Sequence, residues 1–286
     1  MDLAQLQQEI EHHFSAGAAA AGDAAALKSF LDLRGALERG EVRSASPDPT
    51  SPTGWRVNAW VKRGILLGFR IGVLEEHQGS GFSFVDKHTF PVRHFTAADG
   101  IRIVLGGSSI RAGAYLARGV ICAPPMYINT GAWVDEGTMV DSHALVGSCA
   151  QIGKRVHLSA AAQIGGVLEP INASPVIIED DVLVGGNCGI YEGTIVRAGA
   201  VLAPGTILTR GTPVFDLAKG ITIRATDDTP LIIPASAVVV PGSRPVSKHK
   251  GHPDASGWGL SLYAPVIVKY RDEKTDLSTT LEDLLR

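Results

Sequence analysis

The sequence predicts a mainly β fold: a parallel β-helix of hexapeptide repeats with an N-terminal helical cap and a small C-terminal extension. Three observations carry the prediction. Stepping by six from Ile110 gives Leu116, Cys122, Ile128, Val134, Val140, Val146, Ile152, Leu158 and Ile164. After a break across "PINASPV" (170–176) the register resumes at Ile178, Val184, Ile190, Val196, Leu202 and Leu208. All of these anchors are apolar in a chain that is 45% hydrophobic, an outcome with a probability of about 3 × 10⁻⁶ by independent draws. Four residues after most anchors sits a second inward candidate, usually small, such as Ala114, Ala132, Thr138, Ala144, Ala150, Ala162, Cys188, Thr194, Ala200 and Thr206. The residue after each anchor is often Gly, Asp, Asn or Ala.

A repeat of this period supplies one short strand and one corner, and three repeats close a triangular turn. Anchors then stack on anchors as an aliphatic column, and the second inward position stays small because three faces converge on a narrow axis. The hexads of 110–169 and 178–213, with "IPASAV" and "VVPGSR" at 233–244, make six turns. These span roughly 29 Å at about 4.8 Å per layer.

Taken in order, residues 1–40 read as helices, with Leu3, Leu6, Ile10 and Phe14 on one face and Gly40 as a stop. "SASPDPTSPTG" (44–54) is a turn-rich loop, and "WRVNAWVKRGILLGFRIG" (55–72) is helical in its middle. The expected division is a mostly helical domain over 1–100, the β-helix over 101–244 and an extension over 245–286. Solenoid ends need covers, a role that falls to the N-terminal helices and to "WGLSLYAPVIVKYRDE".

Composition narrows the function. The formal net charge is −3 and the pI about 6.3, so the basic footprint of a nucleic-acid binder is missing. No apolar run has membrane-spanning length and the N-terminus lacks the pattern of a signal peptide. Cys122, Cys149 and Cys188 are far apart with no CxxC pair, which fits a reducing compartment. The expected setting is cytoplasmic, without a membrane or nucleic-acid partner.

Several stretches are more specific than the hexads. "GAWVDEGTMVDSHALVGSCAQIGKRVHLS" (131–159), "IGGVLEP" (164–170), "IIEDD" (177–181), "WVKRGILLGFRI" (60–71) and "LSLYAPVIVKYRDEKT" (260–275) resemble the tetrahydrodipicolinate N-succinyltransferases across nearly the whole chain. The resemblance implies a left-handed β-helix, a handedness opposite to the general rule for parallel crossovers. It also implies a homotrimer with active sites between neighbouring subunits, and succinyl-CoA as co-substrate with no metal. The implied reaction moves a succinyl group to the amine of acyclic 2-amino-6-oxopimelate, in lysine and diaminopimelate synthesis.

That reaction needs a group to hold the amine and take its proton, a donor for the tetrahedral oxyanion, and cations for carboxylates and CoA phosphates. By the resemblance, Asp141 is the carboxylate facing the amine, although Asp after an anchor is also a routine corner residue. Arg102 matches an arginine holding substrate carboxylate. Arg244, Lys248 and Lys250, in "GSRPVSKHKG", are the candidates for CoA phosphates, against the alternative of a solvated loop. A backbone N–H at a prism corner is the expected oxyanion donor.

One stretch departs from the resemblance. Where the commoner family version reads Gly-Ala-Arg-Ser-Glu, this chain has Gly185-Gly186-Asn187-Cys188-Gly189, without the second carboxylate associated with the amine. Glu192 is the candidate substitute, or an exposed prism residue. His143 and His157 read as surface or interface histidines, and Cys122 and Cys188 as small core residues. The break at 170–176 reads as a loop folding over a neighbour's site, or as a tolerated insertion. Two rivals remain: an N-acetyltransferase on the same or a related amino acid, and a non-catalytic β-helix scaffold.

Overall fold

The computed structural model describes residues 2–79, 82–246 and 255–272. The predicted repeat strands form the walls of a left-handed parallel β-helix with three faces. Face 1 holds Tyr115–Leu116, Trp133–Val134, Gln151–Ile152, Ile177–Ile178, Ile195–Val196 and Ile232–Ile233. Face 2 runs from Arg102–Ile103 through Ile121–Cys122, Met139–Val140, His157–Leu158, Leu183–Val184 and Val201–Leu202 to Ala237–Val240. Face 3 holds Ser109–Ile110, Tyr127–Ile128, Leu145–Val146, Gln163–Ile164, Gly189–Ile190 and Ile207–Leu208. Register passes straight up each face, with Met139 beside His157 and Val140 beside Leu158.

In each strand the second residue points inward and is buried. Val134, Val140, Val146, Ile152, Leu158, Ile164, Val184, Ile190, Val196, Leu202 and Leu208 are all fully buried in one continuous core. The small residues four positions later are buried too, from Ala114 and Ala132 to Cys188, Thr194 and Thr206. Corners close by placing the residue three after the anchor in the left-handed region. Some of these residues are glycines, but His143, Cys149, Arg155, Ala161, Asp181, Asn187 and Ser236 adopt it with side chains. Each accepts local strain of about 1–2 kcal/mol that the stacked ladder overrides.

Two features exceed the expected pattern. Face 2 begins a strand early, at Arg102–Ile103, which pairs with Ile121–Cys122. At the far end Val266–Tyr270 returns antiparallel to Ala237–Val240 and parallel to Val214–Asp216, covering the last coil. There the Tyr270 hydroxyl donates to buried Asp216 at 2.6 Å.

The N-terminal cap has three helices, α1 (Leu3–Ser15), α2 (Ala24–Glu38) and α3 (Ala59–Ile71). Asp2 and Asp23 cap α1 and α2 by accepting backbone N–H groups. Two hairpins, β1 (Ala45–Pro47) with β2 (Trp55–Val57) and β3 (Leu74–Gly79) with β4 (Phe82–Lys87), make the cap less helical than the sequence implied.

The cap seats on face 1 through a packed cation. The Arg43 guanidinium lies 4.1 Å from the Trp133 ring centroid and 5.2 Å from that of Trp55, and its Nε donates to Gln151. Burial there lowers the Arg43 pKa to about 10. Nearby, Glu179 accepts from both Trp55 Nε1 and Arg197.

The break at 170–176 is tied to its own chain. Fully buried Lys62 on α3 donates through Nζ to the Ala173 carbonyl at 2.6 Å, and Leu168 packs on the cap core. The loop leaves along Gly165–Gly166, whose backbone crosses Gly147 so closely that a Cβ at 147 would stand 2.2 Å from the Gly166 nitrogen. The "IGGVLEP" stretch is thus accounted for by backbone contact.

Candidate active site

The edge where face 2 turns into face 3 is the chemically distinctive part of the prism. Its corners stack as Ala123-Pro124-Pro125, Asp141-Ser142-His143, Ser159-Ala160-Ala161, Gly185-Gly186-Asn187 and Ala203-Pro204-Gly205. In the upper three corners the third residue donates its N–H to the middle carbonyl of the coil below, whereas His143 donates to the Pro125 carbonyl. Ala161 bonds to Ser142, Asn187 to Ala160 and Gly205 to Gly186 at 2.8–3.0 Å.

The middle N–H therefore faces outward. In Pro124 and Pro204 it is missing, and at Ser142 it is taken by Asp141 Oδ1 at 2.7 Å. The N–H groups of Ala160 and Gly186 have no acceptor among the described residues. The edge therefore offers two open donors on consecutive coils, directly above the only carboxylate in these corners.

Asp141 uses Oδ1 locally and turns Oδ2 toward His157, whose Nε2 is 3.8 Å away on the next coil; their side chains are 34% and 18% exposed. His157, expected as a surface or interface histidine, is mostly buried beside Asp141. The signal lay in the coil period, because 157 stands in register with 139 and is therefore a diagonal neighbour of 141. His143, an exposed left-handed corner residue, takes no part in this contact.

Arg102 shares face 2 with this pair, in the outward column that continues through Ile121, Met139 and His157. It lies two strands below Met139, roughly 10 Å along the prism. Glu192 lies elsewhere, on the edge between faces 3 and 1, where its Oε2 accepts the Arg210 N–H at 2.8 Å. Within one chain it is not brought together with Asp141. Arg244 is exposed on Ser243–Pro245, just beyond the last corner, and pairs with Leu262 in a short antiparallel ladder. Lys248 and Lys250 lie outside the described residues. Gly189 is buried beneath the ring of Tyr191.

The cysteines are packing residues. Burial pushes the Cys122 thiol up to about 12 and raises those of Cys149 and Cys188 as well. Among the described residues no cluster of three or more His, Cys, Asp or Glu is disposed to hold a metal ion. Nor is any helix among them long and apolar enough to cross a membrane.

Comparisons with known proteins agree along the chain. A family model described as "Tetrahydrodipicolinate N-succinyltransferase N-terminal" matches residues 5–71, and one described as "Hexapeptide repeat of succinyl-transferase" matches 175–210. A 2,3,4,5-tetrahydropyridine-2,6-dicarboxylate N-succinyltransferase from Afipia carboxidovorans is 39% identical over 297 residues, covering 100% of both chains. Proteins of the same name from Rhodopseudomonas palustris and Paracoccus denitrificans are 40% and 42% identical. The first covers 100% of both chains, and the second 88% of this chain and 86% of its own. A solved hexapeptide-repeat acetyltransferase from Vibrio cholerae covers 43% of this chain and 66% of its own, at 17% identity and a TM-score of 0.24.

Proposed function

The chain belongs to the tetrahydrodipicolinate N-succinyltransferase family, and from that premise we propose that its chemistry takes place along the edge between faces 2 and 3. The protein is a CoA-dependent N-acyltransferase that moves succinyl from succinyl-CoA to the amine of acyclic 2-amino-6-oxopimelate, a step of lysine and diaminopimelate biosynthesis.

The observation that carries the assignment of the site is Asp141 lying beneath the open N–H groups of Ala160 and Gly186. Asp141 holds and orients the ammonium through Oδ2. The Asp141–His157 pair first takes one proton from the ammonium, freeing the lone pair that attacks the thioester carbonyl; the adduct nitrogen, made acidic by bond formation, gives up its second proton as the C–S bond breaks. The His157 imidazole stands close enough to Asp141 to share that first proton.

The carbonyl oxygen gathers negative charge and is stabilised by the N–H of Ala160, a donor fixed by the corner and needing no reorganisation. The C–N bond forms, the C–S bond breaks with its electron pair on sulfur, and the CoA thiolate takes up a proton. Transfer is direct, without an acyl-enzyme. The buried, high-pKa thiols leave this chain no exposed cysteine nucleophile among its described residues.

Arg102, on the same face as Asp141, pairs with a substrate carboxylate. Arg244, just beyond the end of the edge, serves the CoA phosphates together with Lys248 and Lys250 of the same sequence stretch. Glu192 joins the amine only from a neighbouring chain, which a homotrimer with intersubunit sites would supply. The proposed location is the cytoplasm. Mass spectrometry of the product after incubation with succinyl-CoA and L-2-aminopimelate tests the reaction. A succinamide on the acceptor nitrogen supports it, and free succinate with unchanged acceptor contradicts it.

A further inference from the structure

We propose that Tyr191 is a substrate-contacting residue of the acceptor site, its phenol occupying the space that a side chain at position 189 would fill. The proposal rests on the family reading above and deepens it.

Gly189 holds an outward register position on face 3, between Gln163 and Ile207, yet it is buried. The cover is Tyr191. A Cβ at Gly189 would stand 2.5 Å from Tyr191 Cε2 and 2.8 Å from the hydroxyl oxygen, and one at Gly165 would stand 2.8 Å from Cδ1. Atoms do not approach so closely, so this ring position requires glycine at 189.

The ring runs back along its own strand from 191 over 189, so the hydroxyl lies over face 3 at the 189 position. The corner that leads into this strand, at 185–187, belongs to the edge of Asp141, two coils above it. The hydroxyl has no hydrogen-bond partner among the described residues, and the ring is partly exposed. Between Asp141 and this phenol the corners carry only Ser159, Ala160, Ala161, Gly185, Gly186 and Asn187.

An amine-bearing dicarboxylate reaching from the edge onto face 3 therefore meets the Asp141–His157 pair, the two open N–H groups and this phenol. Glu192, the nearest acidic neighbour in sequence, is held by the Arg210 amide on another edge. A phenol both donates and accepts without charge, so Tyr191 contributes to orienting the acceptor and leaves charge compensation of the amine to Asp141.

Steady-state kinetics test this with two variants. Tyr191→Phe keeps the ring and removes the hydroxyl; the acceptor KM should rise about tenfold while the succinyl-CoA KM stays within about twofold. Gly189→Ala keeps the hydroxyl and drives the ring off its seat, and should raise the acceptor KM to a similar degree. Because both changes remove one contact, combining them should add little beyond either alone.

An acceptor KM indifferent to Tyr191→Phe, or effects that simply add, would overturn the proposal. A wild-type chain inactive with every amine offered would overturn the family reading and the proposal with it. Turnover blind to Tyr191→Phe overturns the proposal alone.

Discussion

His157 Nε2 stands 3.8 Å from Asp141 Oδ2, across two adjacent coils of face 2. The contact joins a carboxylate already fixed by the Ser142 N–H to a mostly buried imidazole. It gives the proposed amine-holding group a neighbour able to take on a proton.

Asp141→Asn should retain the fold while losing turnover. The amide oxygen can still accept the Ser142 N–H, so the melting temperature should change little, as expected for a partly exposed side chain. Without the charge, kcat/KM should fall about 10²- to 10⁴-fold. Steady-state thiol release and a thermal melt on the same preparation check both halves, and near-normal turnover would remove Asp141 from its role.

The open N–H of Ala160 can be deleted without redesigning the corner. Pro204 already occupies the same middle position one corner above Gly186, followed by left-handed Gly205 just as Ala160 is followed by left-handed Ala161. Ala160→Pro should lower kcat by about 10²- to 10³-fold. Ala160→Gly, which keeps the N–H, should stay near wild type. Equal losses in the two variants would show that the methyl group matters and the donor does not.

Lys62 staples the 165–176 segment to α3 by its bond to the Ala173 carbonyl, and desolvation lowers its pKa. Lys62→Ala removes the bond and leaves a cavity, and should cost about 2–4 kcal/mol. Limited proteolysis should then cut first within 165–176; an unchanged pattern would mean the loop holds without the lysine.

Cys122 supplies a pH signature. Its folded pKa is pushed up to about 12 from an ordinary 9.0. The folded state therefore keeps a proton that the unfolded state gives up above about pH 9, and stability falls as pH rises from there toward 12. Wild type should lose stability relative to Cys122→Ala between pH 8 and 10, by about 1 kcal/mol. Denaturant titrations at the two pH values measure it, and a pH-independent difference would contradict a buried, protonated thiol.

The β-helix was legible because its physics repeats. Every anchor from Ile110 to Leu208, and then Ile233 and Val239, is buried where a period of six places it. The early strand at Arg102–Ile103 lay before the first hexad that could be counted, and the β3–β4 hairpin has no periodic partner to announce it. Asp141 and Arg102 were singled out by resemblance, and the structure puts them on one face. The contacts of His157 and Tyr191, on which the proposals above rest, run to a neighbour on the next coil and to a glycine two residues away. Those contacts are set by the wrapping of the chain, which a linear reading does not display. The loop at 170–176 was open between two readings, a cover for a neighbour's site and a tolerated insertion; the structure adds that Lys62 ties it to its own cap.

The account's central claim is tested most directly by thiol release from succinyl-CoA and acetyl-CoA in parallel, with L-2-aminopimelate as acceptor. A strong preference for succinyl-CoA, dependent on the acceptor and lost in Asp141→Asn, is the predicted result. A preference for acetyl-CoA, or release indifferent to the acceptor, would contradict it.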